Sequence, residues 1–127
     1  MQSRATGMWW GVALESPDPA ALGRFYARLL EWPIVFEEPG TTVVGVPGGQ
    51  SFLVCQQASG YQPPTWPPVE GEQRPMQHLD FQVGDLDEAV GEATALGATL
   101  AVTQPQEHVR VLLDPAGHPF CLVRDVG

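Results

Sequence analysis

The sequence predicts an α+β domain of two tandem βαβββ modules paired around a cleft, and three observations predict it. Residues Gly11 to Asp18 (GVALESPD) are answered by His78 to Asp85 (HLDFQVGD), 67 residues on. The ends of the two halves also match: Val46 to Val54 lies against Asp114 to Leu122, with Pro47 on Pro115 and Gly49 on Gly117, an offset of 68. Within each half, one strand-period run is followed by one helix-period run and three further strand runs. Such a unit cannot bury its apolar face alone, so two copies are expected to pair and to enclose a cleft.

In the first module, about 9–57, Trp10 to Ser16 alternates as a strand, with Trp10, Val12 and Leu14 on the expected buried face. Asp18 supplies a side-chain acceptor for the free amides of a helix, and Pro19 brings a preset φ to its first position. Leu22, Phe25, Tyr26, Leu29 and Leu30 then form one apolar stripe, and Pro33 ends the helix. Strands follow at Ile34 to Glu37, Thr41 to Val46 and Phe52 to Gln56, the last two joined by a turn at 47–49. The second module, about 77–125, repeats the pattern. It has a strand at His78 to Val83, a capping box of Asp85 and Glu88, an inward stripe of Leu86, Ala89, Val90, Ala93 and Leu96, and a stop at Gly97. Its remaining strands are Thr99 to Thr103, His108 to Leu113 and Phe120 to Arg124, with a turn at 114–117. Between the modules, residues 58–76 hold five prolines with Tyr61 and Trp66. Two readings stand: a plain linker, or a stiff partial lid over the cleft mouth.

At 127 residues the chain is one domain, 1–127, able to bury roughly two thirds of the surface its unfolded form exposes. The net charge is −9, and the six basic residues are all arginines scattered along the chain, which argues against nucleic acid or an anionic membrane as partner. No signal-peptide core or membrane span is present, so a cytoplasmic location is expected. Cys55 and Cys121 lie in apolar strand runs and read as reduced, buried thiols.

The chain resembles the vicinal oxygen chelate superfamily of glyoxalases, bleomycin-resistance proteins and extradiol dioxygenases, and within it the glyoxalase-like domain proteins. The residues that carry the resemblance are Asp18 to Leu30, Tyr61 to Pro67, Gln77 to Val83 and Leu113 to Val123, within a match spanning about 10 to 124. It implies paired βαβββ modules whose mixed sheet curls around a cleft, and a homodimer. Metal-dependent members hold a divalent ion with four side chains, one from the first and one from the last strand of each module. Counted along this sequence, those positions are Gly11, Leu53, His78 and Cys121. Only His78 is a family-type ligand, Cys121 is a substitute, and Gly11 and Leu53 offer no donor, so no metal and no other cofactor is expected.

Strand alternation places Glu15, His78, Asp80 and Gln82 toward the cleft. A set of His78, Asp80 and Cys121 is chemically acceptable for zinc, but residues 78 and 80 are about 6.6 to 6.8 Å apart along a strand and converge only with a favourable twist. His78 reads either as a hydrogen-bonded inward histidine or as a cleft acid or base oriented by Asp80, and these two are the catalytic candidates. His118 reads as structural and His108 as a surface residue. The expected function is metal-free binding of a small, largely apolar molecule by Glu15, Leu53, Tyr61, Trp66, His78, Asp80, Gln82 and Cys121, with Tyr61 and Trp66 as walls. One alternative is a lyase, isomerase or dioxygenase-type enzyme using His78 with Asp80 or Cys121. A second is sequestration of a cationic antibiotic.

Overall fold

The computed structural model of the chain describes residues 7–124. The expected end of the second module at 125 lies outside the described residues. The chain divides into two compact units, the first ending at Tyr61 and the second beginning at Gln62.

The first unit runs β1 (Trp10–Ser16), α1 (Pro19–Leu30), β2 (Ile34–Glu38), β3 (Thr41–Gly45) and β4 (Ser51–Gln57). Its four-stranded sheet has the order β1-β4-β3-β2, with β1 and β4 parallel and the other pairs antiparallel. Asp18 caps α1 as expected, its Oδ1 accepting from the Ala21 amide at 3.0 Å. The helix lies on the face of the sheet that carries Thr42, Val44, Leu53 and Cys55, all buried. At Gly23 the approach is so close that an added Cβ would meet the Thr42 methyl at 2.4 Å. Leu22, Phe25 and Tyr26 fill this core, and Phe25 and Tyr26 meet edge to face at 5.0 Å. Trp10 departs from expectation, being 62% exposed. It begins an edge strand opposite Ser51, whose small side chain at the mouth of the β3–β4 turn gives it little to pack on.

The second unit repeats the plan with β5 (Leu79–Val83), α2 (Leu86–Ala95), β6 (Thr99–Leu100), β7 (Val109–Leu113) and β8 (Pro119–Arg124), in the order β5-β8-β7-β6. Again the first and last strands run parallel. The Asp85 carboxylate accepts from the Glu88 amide at 2.9 Å and starts α2. That helix packs on β8, β7 and β6, and Leu112, Phe120 and Leu122 are buried in this unit. β6 is shorter than the predicted 99–103. The Gln104 side chain takes over the ladder: its Oε1 accepts from the Val111 amide at 2.8 Å, and its Nε2 donates to the carbonyls of Val111 at 2.9 Å and Ala101 at 2.8 Å. A side-chain amide offers the same donor and acceptor as a peptide group, so it ends backbone pairing without leaving Val111 unsatisfied. No helix among the described residues is long and apolar enough to cross a membrane.

Most of the proline-rich segment belongs to the second unit and is tied down there. The Thr65 amide donates to the Gln73 carbonyl at 3.0 Å, and the Trp66 indole N–H donates to the Thr103 carbonyl at 3.2 Å. Gly117, at φ +92, accommodates Pro63, which a Cβ there would meet at 2.9 Å. These contacts hold the segment to the second unit from Gln62 onward.

Candidate functional site

The two faces of the second sheet differ in what covers them, and the pairing register says which residues share each face. Asp80 stands opposite Cys121 and Gln82 opposite Val123, while Cys121 and Val123 stand opposite Val111 and Val109. These residues therefore lie on one face. Their apolar members form a cluster of Ala101, Val109, Val111 and Cys121, against which Trp66 and Val123 pack. Leu112, Phe120 and Leu122, one residue out of step, lie on the opposite face. The result is an apolar floor with an indole laid on it and a polar rim of His78, Asp80 and Gln82 along one edge, all three exposed.

At that rim three reactive groups meet. His78 Nδ1 lies 3.0 Å from Asp80 Oδ1 and 3.8 Å from Cys121 Sγ. The 3.0 Å contact fits an imidazole N–H donating to the carboxylate. The side chains of His78 and Asp80 are 50% and 59% exposed, so this pair adds little to stability and is open to a ligand. Cys121 is buried at 8% exposure. Burial, then the Asp80 charge, then a hydrogen bond to Asp80 push its thiol up to about 11. Near neutral pH it is a protonated thiol, poorly suited to nucleophilic attack. An exposed imidazole beside a carboxylate can instead orient, accept or donate a proton.

The first unit presents nothing comparable at the corresponding places. Its register sets Gly11 opposite Phe52 and Ala13 opposite Val54, as Asp80 is set opposite Cys121. The residue in the place of Cys121 is therefore Val54. Leu53, chosen by counting from the turn glycine, lies one step away, on the face that packs against α1, and is 6% exposed. The count fails because the two β3–β4 and β7–β8 connections differ by one residue, which shifts the turn motif but not the strand pairing. Neither Val54 nor Leu53 nor Gly11 carries a metal-binding atom, so the four-position ligand set of the superfamily does not fit this chain. Glu15 is exposed on β1 opposite Gln56, and Tyr61 is half-buried at the end of the first unit. Of the eight expected binding residues, the structure assembles Trp66, His78, Asp80, Gln82 and Cys121 on one sheet face. An open hollow of about 540 Å³ at the start of α1, lined by Asp18, Glu37, Glu38 and Thr42 among others, brings no histidine or cysteine together.

Val109, Val111 and Val123 were not singled out by the sequence reading. Their signal was present, since residues two apart on β7 and β8 share a face with Cys121, but it needed the register. His118 is structural, as expected. Its Nδ1 lies 2.8 Å from Asp114 Oδ2, and Asp114 Oδ1 accepts from the amides of Ala116 and His118 at 2.9 and 3.0 Å, closing the β7–β8 turn.

This two-module fold defines a class, and the sequence agrees with it: the model of the glyoxalase-like domain family matches residues 11–123. The chain belongs to that family. Similar solved structures include a glyoxalase/bleomycin resistance protein/dioxygenase family enzyme from Burkholderia phytofirmans PsJN, with TM-score 0.64, 19% identity, and 90% of this chain and 95% of that one covered. The fosfomycin resistance protein FosX from Mesorhizobium loti has TM-score 0.66 and 15% identity over 94% and 92% of the two chains. Lactoylglutathione lyase from Agrobacterium tumefaciens has TM-score 0.60 and 17% identity over 90% of each. At these identities the likeness establishes the fold and carries no activity across. No protein of curated function matches the chain in sequence.

Proposed function

We propose that this protein binds a small, largely apolar molecule on the Trp66 face of its second sheet, independently of the four-residue metal set of its superfamily. One observation carries the reading: an apolar floor of Val109, Val111 and Val123 with an indole upon it stands beside the exposed His78–Asp80 pair. Small-molecule sites combine apolar walls with a few polar groups that fix orientation, and this face has both. The test is a small-molecule library screened by amide chemical shifts on chelator-treated protein. Hits are expected to move Trp66 and residues 109–111 and 121–123, and Trp66→Ala is expected to weaken them about tenfold or more. Hits confined to the first unit, or affinities untouched by Trp66→Ala, overturn the reading.

The imidazole–carboxylate contact of 3.0 Å favours a second reading, an enzyme that uses His78 as acid or base. It requires that a hit be turned over, and that His78→Ala abolish turnover without lowering the melting temperature. A homodimer belongs to the same proposal by family likeness. Light scattering of the 13.7 kDa chain is expected to give twice that mass at micromolar concentration, and a monomer contradicts it.

A further inference from the structure

We propose that His78, Asp80 and Cys121 together form a binding site for a zinc-type divalent ion, built wholly within the second module. The three side chains present an imidazole nitrogen, a carboxylate oxygen and a sulfur, one ligand atom each, all within 4.8 Å of one another. Zinc takes these three donor types, with bonds of roughly 2.0 to 2.3 Å, which set tetrahedral neighbours about 3.3 to 3.7 Å apart. The observed separations of 3.0 Å between His78 Nδ1 and Asp80 Oδ1, and 3.8 Å between His78 Nδ1 and Cys121 Sγ, bracket that spacing. The third pair, Asp80 and Cys121, lies within 4.8 Å, so coordination requires side-chain adjustment and no strand rearrangement.

Charge supports the same assignment. A thiolate and a carboxylate together neutralise a divalent ion, and a neutral imidazole completes the set. Two of the three side chains are half exposed, so the fourth position faces solvent and is open to water or a ligand atom. The obstacle seen along the strand, a rise of about 6.6 to 6.8 Å between residues 78 and 80, is removed by the side chains, which lean together until they touch. This site departs from the four-position set and from the metal-free expectation. Gly11 and Val54, at the corresponding places of the first module, carry no donor atom, and Asp80 supplies the third ligand here.

The inference goes beyond the small-molecule reading, since an ion takes no donor atom from Trp66 or from the valines that surround Cys121. The experiment is titration of the full-length, reduced, chelator-stripped protein with cobalt(II) and zinc(II), with no small molecule added. The expected result is one equivalent bound, with a thiolate-to-cobalt charge-transfer band and proton release on binding. His78→Ala and Asp80→Asn, both at exposed positions, and Cys121→Ser are each expected to weaken affinity about tenfold or more, while Trp66→Ala retains the ion. Absence of a one-to-one cobalt complex with thiolate character, or binding unchanged in His78→Ala, overturns the site.

Discussion

Replacing Asp80 with asparagine changes the chemistry of a side chain on the neighbouring strand. In the native protein the Cys121 thiol is raised from the ordinary 9.0 to about 11, by burial first, then by the Asp80 charge and its hydrogen bond. Two units correspond to about a hundredfold less thiolate than an ordinary cysteine has at about pH 8. Asp80→Asn removes the charge and weakens the hydrogen bond but leaves the burial, so the midpoint should fall partway, between 9.0 and about 11. Alkylation of Cys121 at about pH 8 should then quicken severalfold, short of a hundredfold. The assay is the pH profile of iodoacetamide labelling with chelator present, read by peptide mass spectrometry so that buried Cys55 is followed separately. The same shift fixes the sign of a stability effect. Because the folded pKa lies above the unfolded value, this thiol's contribution is fully present below pH 9.0 and is lost as pH rises through about 11. A native midpoint at the ordinary value, or a profile unmoved by Asp80→Asn, refutes the reasoning.

Two further predictions concern the scaffold. Gly23→Ala improves helix propensity by about 1 kcal/mol, yet the added Cβ would sit 2.4 Å from a Thr42 methyl that is 1% exposed and held by a hydrogen bond to Glu37. Overpacking of about 1 to 3 kcal/mol wins, so chemical denaturation should show a net loss of about 1 kcal/mol, relieved in Gly23→Ala/Thr42→Ala; a stabilised single variant contradicts this. Asp114→Ala strips the β7–β8 turn of a buried acceptor for two amides and the His118 ring, and a loss of about 2 to 3 kcal/mol is expected by the same measurement.

Much of the fold was legible because its signals are local. Asp18 and Asp85 cap helices through contacts three residues away, and the alternation of residues 78 to 83 sets His78, Asp80 and Gln82 on one exposed face without reference to any partner strand. What was misread depends on pairing. Leu53 was matched to Cys121 by counting from a turn, whereas strand register, which counting cannot see across a one-residue difference, matches Val54. β6 stops at Leu100 rather than at 103 because Gln104 closes on Val111, which nothing local announces. Trp66 was identified, but not the surface it lies on, since a proline-rich strap takes its path from the Pro63–Gly117 approach and the Thr103 carbonyl rather than from its own sequence. The set of His78, Asp80 and Cys121 is legible in the sequence as donor types, and the parallel pairing of β5 and β8, with Asp80 opposite Cys121, is what brings them together.

The most direct test of the central claim, that the Trp66 face of the second sheet is a small-molecule site, is a crystal structure with the tightest library hit, grown with chelator present. The account predicts the ligand against Trp66 and the Val109, Val111 and Val123 face, with a polar group on His78 or Asp80. A ligand bound elsewhere, with none against Trp66, contradicts it.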